Sequence, residues 1–156
     1  MERPTVLVVD DETDVLLLCR VNLEFEGYQV TEASNGEDAL RIAREDPPEV
    51  ILLDVMMPKM DGWQVLRELK SDARTAGIPI VMLTAKTQDS DQIKGWTEGA
   101  AEYITKPFSP LALSQVVRGV MAARGNPGEE ERRRQQMVDK LRLLSAADPP
   151  QAGEPA

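Results

Sequence analysis

The sequence contains no histidine. That absence removes several chemistries at once: a serine or cysteine nucleophile activated by imidazole, imidazole-bound zinc, and phosphotransfer on a histidine of this chain. Any metal must then sit on oxygen ligands, which points to magnesium, manganese or calcium. Cysteine is nearly absent as well. With Cys19 alone no intramolecular disulfide can form, and a reducing compartment is expected. Helical spacing puts Cys19 among apolar neighbours, so it is expected to pack in the core rather than to do redox chemistry. No apolar run approaches the ~20 residues of a membrane span, and Met1 to Pro4 carry no secretory pattern. The expected location is cytoplasmic, with no membrane partner. Basic residues are in deficit: 18 Lys and Arg against 27 Asp and Glu give a formal net charge of -9. Such a surface repels nucleic acid, and no direct binding to it is expected.

What is present is a set of short apolar runs, each stopped by a polar or charged residue. Thr5 to Val9 ends at Asp10 and Asp11, Val50 to Leu53 at Asp54, Ile78 to Leu83 at Thr84, and Tyr103 to Thr105 at Lys106. Runs of this kind read as strands buried on both faces, and ligands of an open parallel sheet bind just beyond the carboxyl ends of its strands. Three carboxylates, a hydroxyl and an ammonium group should therefore meet at one edge of one sheet. Magnesium takes oxygen ligands and is usually held by one or two carboxylates, waters and a phosphate, so this is the pattern of a magnesium and phosphoryl site.

Helical patterns alternate with the strands. Val15, Leu18, Cys19 and Leu23 recur at helical spacing before Gly27, and Tyr28 to Glu32 reads as the next strand. Ser34 and Glu37 have capping-box spacing for a second helix ending near Pro47 and Pro48. A turn-rich stretch from Met57 to Gly62 leads into a helix carrying Val65, Leu66 and Leu69. A further helix is expected through Ile93 and Trp96 to Gly99, and Ser109 and Pro110 open another through Leu113, Val116, Val117 and Val120. Five strands alternating with five helices make an α/β fold, a doubly wound five-stranded parallel sheet with helices on both faces. With 156 residues of which 42% are hydrophobic, one domain over 1–124 is expected, followed by an appendage over 125–156.

In that appendage Gly125 to Gly128 should break the chain, Glu129 to Ser145 should form a charged helix, and Ala146 to Ala156 should be disordered. Glu129 with Arg133 and Glu130 with Arg134 stand at i, i+4 in the favourable order. Met137, Leu141 and Leu144 make an apolar stripe flanked by Val138. A helix this short is marginal alone in water, so docking of the stripe on the domain or on a partner chain is expected.

The combination of Asp10-Asp11, Asp54 followed by Met57-Pro58 and Asp61-Gly62, Thr84-Ala85, and Tyr103 through Lys106-Pro107-Phe108 resembles the receiver domain of bacterial two-component response regulators, from about Val6 to Met121. The resemblance implies a flavodoxin-like sheet with strand order 2-1-3-4-5. It implies that Asp54 accepts a phosphoryl group from a histidine kinase or phosphotransfer protein, and that Asp10, Asp11, Asp54 and the backbone carbonyl of Met56 hold magnesium. Lys106 would pair with the phosphoryl oxygens, Thr84 would hydrogen-bond to them, and Thr84 with Tyr103 would form a switch. A cis bond between Lys106 and Pro107 is implied too. The chain would then be a stand-alone switch acting on an unknown output protein, with dimerisation on phosphorylation a further expectation. It would be no enzyme beyond its own phosphorylation and slow autodephosphorylation. Elementary chemistry agrees, because phosphoryl transfer depends on positioning and on neutralising charge at the equatorial oxygens.

Three other readings compete. A magnesium-dependent aspartate-nucleophile phosphatase uses similar groups, but its nucleophile is usually followed two residues later by an acid, where this chain has Met56. A flavodoxin-like electron carrier needs a phosphate-cradling loop where Asp10 and Asp11 stand. The input half of a transcriptional regulator would need more basic sequence than the roughly 30 residues after the domain supply. Trp96 reads as a core anchor or as part of a recognition face, and Trp63 as a packing residue or a reporter near the site mouth.

Overall fold

The computed structural model describes residues 3–85 and 99–147. Chain order is β1 (Thr5–Val9), α1 (Thr13–Phe25), β2 (Gln29–Ala33), α2 (Gly36–Glu45), β3 (Val50–Asp54), α3 (Gly62–Ser71), β4 (Ile80–Ala85), β5 (Glu102–Lys106), α4 (Pro110–Ala123) and α5 (Pro127–Ala147). The strands form one parallel sheet in the order β2-β1-β3-β4-β5. The helix expected through Ile93 and Trp96 lies outside the described residues.

Alternation along each strand divides the core in two. Leu7, Val9, Ile51, Leu53, Ile80 and Met82 point to the face that α2 and α3 cover with Ala39, Leu40, Val65, Leu66 and Leu69. Val6, Val8, Val50, Leu52, Val81 and Leu83 point to the opposite face, where Cys19 and Leu23 of α1 meet Leu113, Val117 and Val120 of α4. Every residue of β3 is buried. This central position explains why that segment reads as an unbroken apolar run closed by one acid.

Local chemistry sets the helix boundaries. Asn35, rather than Ser34, caps α2: its side chain accepts the Asp38 N–H at 2.8 Å, so the Ser34 and Glu37 box is not the cap. Asp61 and Gln64 form a reciprocal capping box that starts α3. Ser109 caps α4 with Pro110 in its first turn, as the sequence predicts. Asp54, Thr84 and Lys106 are the last or near-last residues of their strands rather than the residues beyond them, because the ladder continues through Asp54 with Leu83, Thr84 with Thr105 and Ala85 with Lys106. The start of β4 falls two residues after the expected Ile78, with Pro79, which has no N–H to give a ladder, just before it.

The appendage departs furthest from expectation. Gly125, with φ of 82°, turns the chain, and α5 already starts at Pro127, with the Asn126 side chain accepting the Glu129 N–H at 3.1 Å. It runs to Ala147, so Ala146 and Ala147 are helical; residues 148–156 lie outside the described residues. In place of the expected pair of Glu129 with Arg133, Glu129 meets Arg132 at 2.9 Å and Arg133 turns inward to Glu102 of β5 at 3.1 Å, while Arg134 meets Glu131 at 3.6 Å. The helix packs on β5 and α4. Met137 and Val138 are buried in the α2/α3-side core, and Leu143 is exposed; the Leu141 and Leu144 side chains lie outside the described residues. Burying Met137 and Val138 contributes about 1.5–3 kcal/mol each, enough to fix a helix that is marginal alone.

Candidate functional site

The carboxyl ends of β1, β3, β4 and β5 bring Asp10, Asp54, Thr84 and Lys106 to one edge of the sheet. Asp10 is fully buried directly after β1, where its N–H donates to the Ala33 carbonyl at 3.1 Å. Its Oδ1 accepts the Glu12 N–H at 2.9 Å, which turns the chain out of the strand and into α1. Asp54 is buried at the end of β3, and its Oδ1 accepts the Met56 N–H at 3.3 Å and the Lys106 ammonium at 3.2 Å. Lys106 also meets Asp10 Oδ2 at 2.7 Å and Glu12 Oε1 at 3.5 Å. One ammonium group thus holds three carboxylates, two from the segment after β1 and one from the end of β3.

Burial sets the electrostatics. Loss of water pushes the Asp54 carboxyl up to about 7, with the negative charge of Asp10 adding to the rise and Lys106 opposing it. For Lys106, burial works against the charge, but the hydrogen bond to Asp10 and the charge of Asp54 outweigh it and hold the ammonium above its ordinary value. Thr84 is buried, and its Oγ1 has no hydrogen-bond partner among the described residues. A buried hydroxyl left this way costs free energy unless a ligand oxygen completes it.

Asp11 is exposed, and its carboxylate, with those of Asp10 and Glu12, forms a group whose ligand atoms all lie within 4.8 Å of one another. Glu12 escapes the sequence reading, although three consecutive acids after a strand are a visible signal. The donor set is hard oxygen throughout, with Asp10 buried and Asp54 resisting ionisation, so a small divalent cation fits the chemistry of these residues. Met56 stands at the mouth with 60% of its surface exposed.

Gly62 also belongs to the site, in a role that reading it as a turn does not reveal. Its N–H donates to the Val55 carbonyl at 2.9 Å, and a Cβ there would collide with the backbone carbonyl of Asp54. Only glycine lets α3 start this close to the end of β3. The Lys106-Pro107 bond is cis. Tyr103 on β5 is half-buried and packs against the α2/α3-side core, as does Trp63. Cys19 is fully buried, and burial first, then the charge of Asp10, pushes its thiol up to about 12, so it stays protonated and unreactive.

Comparison with known proteins points the same way. The family model described as the response regulator receiver domain matches residues 6–118. The alkaline phosphatase synthesis transcriptional regulatory protein PhoP of Bacillus subtilis is 44% identical over 116 residues, covering 74% of this chain and 48% of PhoP. Protein PilH of Pseudomonas aeruginosa is 38% identical over 117 residues, covering 75% of this chain and 97% of PilH. The chain therefore spans about half the length of PhoP and nearly all of PilH. The chemotaxis response regulator CheY4 of Vibrio cholerae superposes with a TM-score of 0.72 at 31% identity, over 76% of this chain and 99% of CheY4.

Proposed function

The chain belongs to the response regulator receiver family of two-component systems, and from that premise we propose that Asp54 accepts a phosphoryl group from a sensor histidine kinase or phosphotransfer protein and that the domain over 1–124 signals through protein contacts. The observation that carries this reading is Asp54 itself, buried at a strand end and bridged by Lys106 to Asp10, beside a Thr84 hydroxyl with no hydrogen-bond partner among the described residues.

These 156 residues hold no histidine, so the phosphohistidine donor lies outside them. An Asp54 carboxylate oxygen attacks phosphorus in line with the phosphohistidine nitrogen. The O–P bond forms, the P–N bond breaks, and the imidazole leaves with the electron pair and is protonated. Asp10, Asp11, Asp54 and the Met56 backbone carbonyl would hold magnesium, which supplies charge neutralisation at the phosphoryl oxygens. Lys106 turns from the carboxylates to the new group, and Thr84 donates to one of its oxygens. With Tyr103 on the neighbouring strand, Thr84 forms the switch. Phosphorylation turns one carboxylate charge into a group of about -1.5 to -2, which biases an existing equilibrium of the domain.

A cytoplasmic location, a protein partner as output and dimerisation on phosphorylation are part of the proposal. A net charge of -9 speaks against nucleic acid as the direct target. Among the described residues no helix is long and apolar enough to cross a membrane. The test is incubation with a small acyl phosphate followed by intact mass measurement. One phosphoryl group should be added with magnesium and none with a chelator; equal labelling with the chelator would refute the metal-assisted site.

The lifetime of the phosphoryl group follows from Met56. Hydrolysis needs an oriented water at the mouth of the site, and a thioether orients water poorly. Met56→Asn places a hydrogen-bonding amide there and should speed loss of the phosphoryl group about three- to tenfold, read as the decay of labelled protein. Unchanged or slower decay would show that water access is not set at this position.

A further inference from the structure

We propose that α5 is a displaceable latch on the β5 edge, seated while Asp54 is free and released when Asp54 is phosphorylated. The proposal rests on the receiver reading above and extends it to a segment outside the matched residues 6–118. One strand links the two places. Lys106 at the end of β5 bonds to Asp54 and Asp10, and Glu102 at its start bonds to Arg133 of α5. These residues are separated by roughly 13 Å of extended chain. Between them Tyr103 packs against the same core that Met137 and Val138 enter. Among the described residues β5 is the edge strand of the sheet and pairs only with β4, so it is freer to shift than the central strands.

The seat of α5 is specific but light. The Arg133 guanidinium lies on α4 at Gly119, where a Cβ would stand 2.8 Å from its Nη1. The Arg133 and Glu102 side chains are only 26% and 22% exposed, so this is a sheltered pair. Arg133 Nε is nevertheless buried with no hydrogen-bond partner among the described residues, which weakens the docking. Met137 and Val138 are buried beside that pair, while the pair of Arg132 with Glu129 within α5 is exposed and adds little. Because the pair of Arg133 with Glu102 stands on β5 itself, a shift of that strand acts directly on the seat of the helix.

The drive comes from Lys106. When its ammonium leaves Asp10 and Asp54 for phosphoryl oxygens, the end of β5 moves with it, and Tyr103 and Glu102 follow. Thr84, paired in register with Thr105 of β5, moves toward the same group. Release of α5 uncovers Tyr103, Glu102 and the groove beside Gly119. Coupling of this kind is reciprocal, so loosening the latch should also favour phosphorylation.

Hydrogen exchange on the full chain tests this, with intact mass measured on the same samples. In the phosphorylated protein, amides over 130–139 should exchange about tenfold faster than in the unmodified protein. Glu102→Arg should speed exchange there without phosphorylation, and Glu102→Arg combined with Arg133→Glu should restore slow exchange. A labelled chain whose 130–139 amides exchange at the unmodified rate overturns the latch alone. A chain that takes no phosphoryl group overturns the site assignment and the coupling with it. Fast exchange that the swapped pair does not restore shows that the ion pair is not the seat and overturns the proposed geometry.

Discussion

Asp54→Asn should take up no phosphoryl group from a small acyl phosphate under conditions that fully label the wild type, a loss of at least about 1,000-fold in rate. An amide oxygen at this position has neither the charge nor the nucleophilicity to attack phosphorus. Asparagine keeps the shape of the side chain and can still accept from Lys106 and the Met56 N–H, the two partners of Asp54 Oδ1. The change therefore tests chemistry rather than folding. Asp10 and Asp11 remain as carboxylates nearby, and Asp10 is also bound to Lys106, at 2.7 Å. Label that persists in Asp54→Asn, mapped by peptide mass to either of these, would move the acceptor and refute the assignment. Thr84→Ala is the matched control: a hydroxyl that only holds an oxygen can be removed with labelling retained, whereas loss of labelling there would make Thr84 part of the transfer itself.

The sequence reveals the sheet because its central strands are buried on both faces, and such strands leave a pattern that needs no partner to be read. Val50 to Asp54 is apolar up to its final acid for that reason. The same logic reveals Asp10, Asp54, Thr84 and Lys106, since a charged or hydroxyl residue closing a buried run stands at the edge where ligands bind. Glu12 is less legible, because an acid in front of a helix is ordinary helix chemistry and only its 3.5 Å approach to Lys106 sets it apart. Gly62 hides in a turn motif. Its close approach to the Asp54 carbonyl depends on how α3 packs, which no local pattern encodes. The pairing of Arg133 with Glu102 spans 31 residues and competes with a plausible local partner, Glu129; only the return of the chain after Gly125 decides it.

The cluster of acids should also show itself in stability against pH. Asp54 moves from its ordinary value of 3.8 up to about 7 on folding, through burial first and the charge of Asp10 second. Between about pH 4 and 7 the folded protein keeps this proton while the unfolded chain has released it, so the unfolded state binds fewer protons and stability falls as pH rises. Below pH 4 both states are protonated and the effect vanishes; above 7 the full cost is present. Three pKa units would correspond to about 4 kcal/mol, and relaxation of the site with counter-ion uptake reduces this to about 2 kcal/mol. Asp54→Asn cannot ionise. Without metal it should therefore unfold at the same temperature as the wild type near pH 4 and about 5–8 °C higher at pH 8. Magnesium reverses the order, because a cation that binds the folded state at 100 times its Kd adds about 2.7 kcal/mol, and the wild type offers it one more carboxylate than the variant. Thermal unfolding of both proteins from pH 4 to 8, with chelator and with magnesium, measures the gap directly. A metal-free gap that narrows as pH rises would contradict the placement of Asp54 beside a buried, charged Asp10, and a gap unmoved by magnesium would show that the cation does not bind these acids.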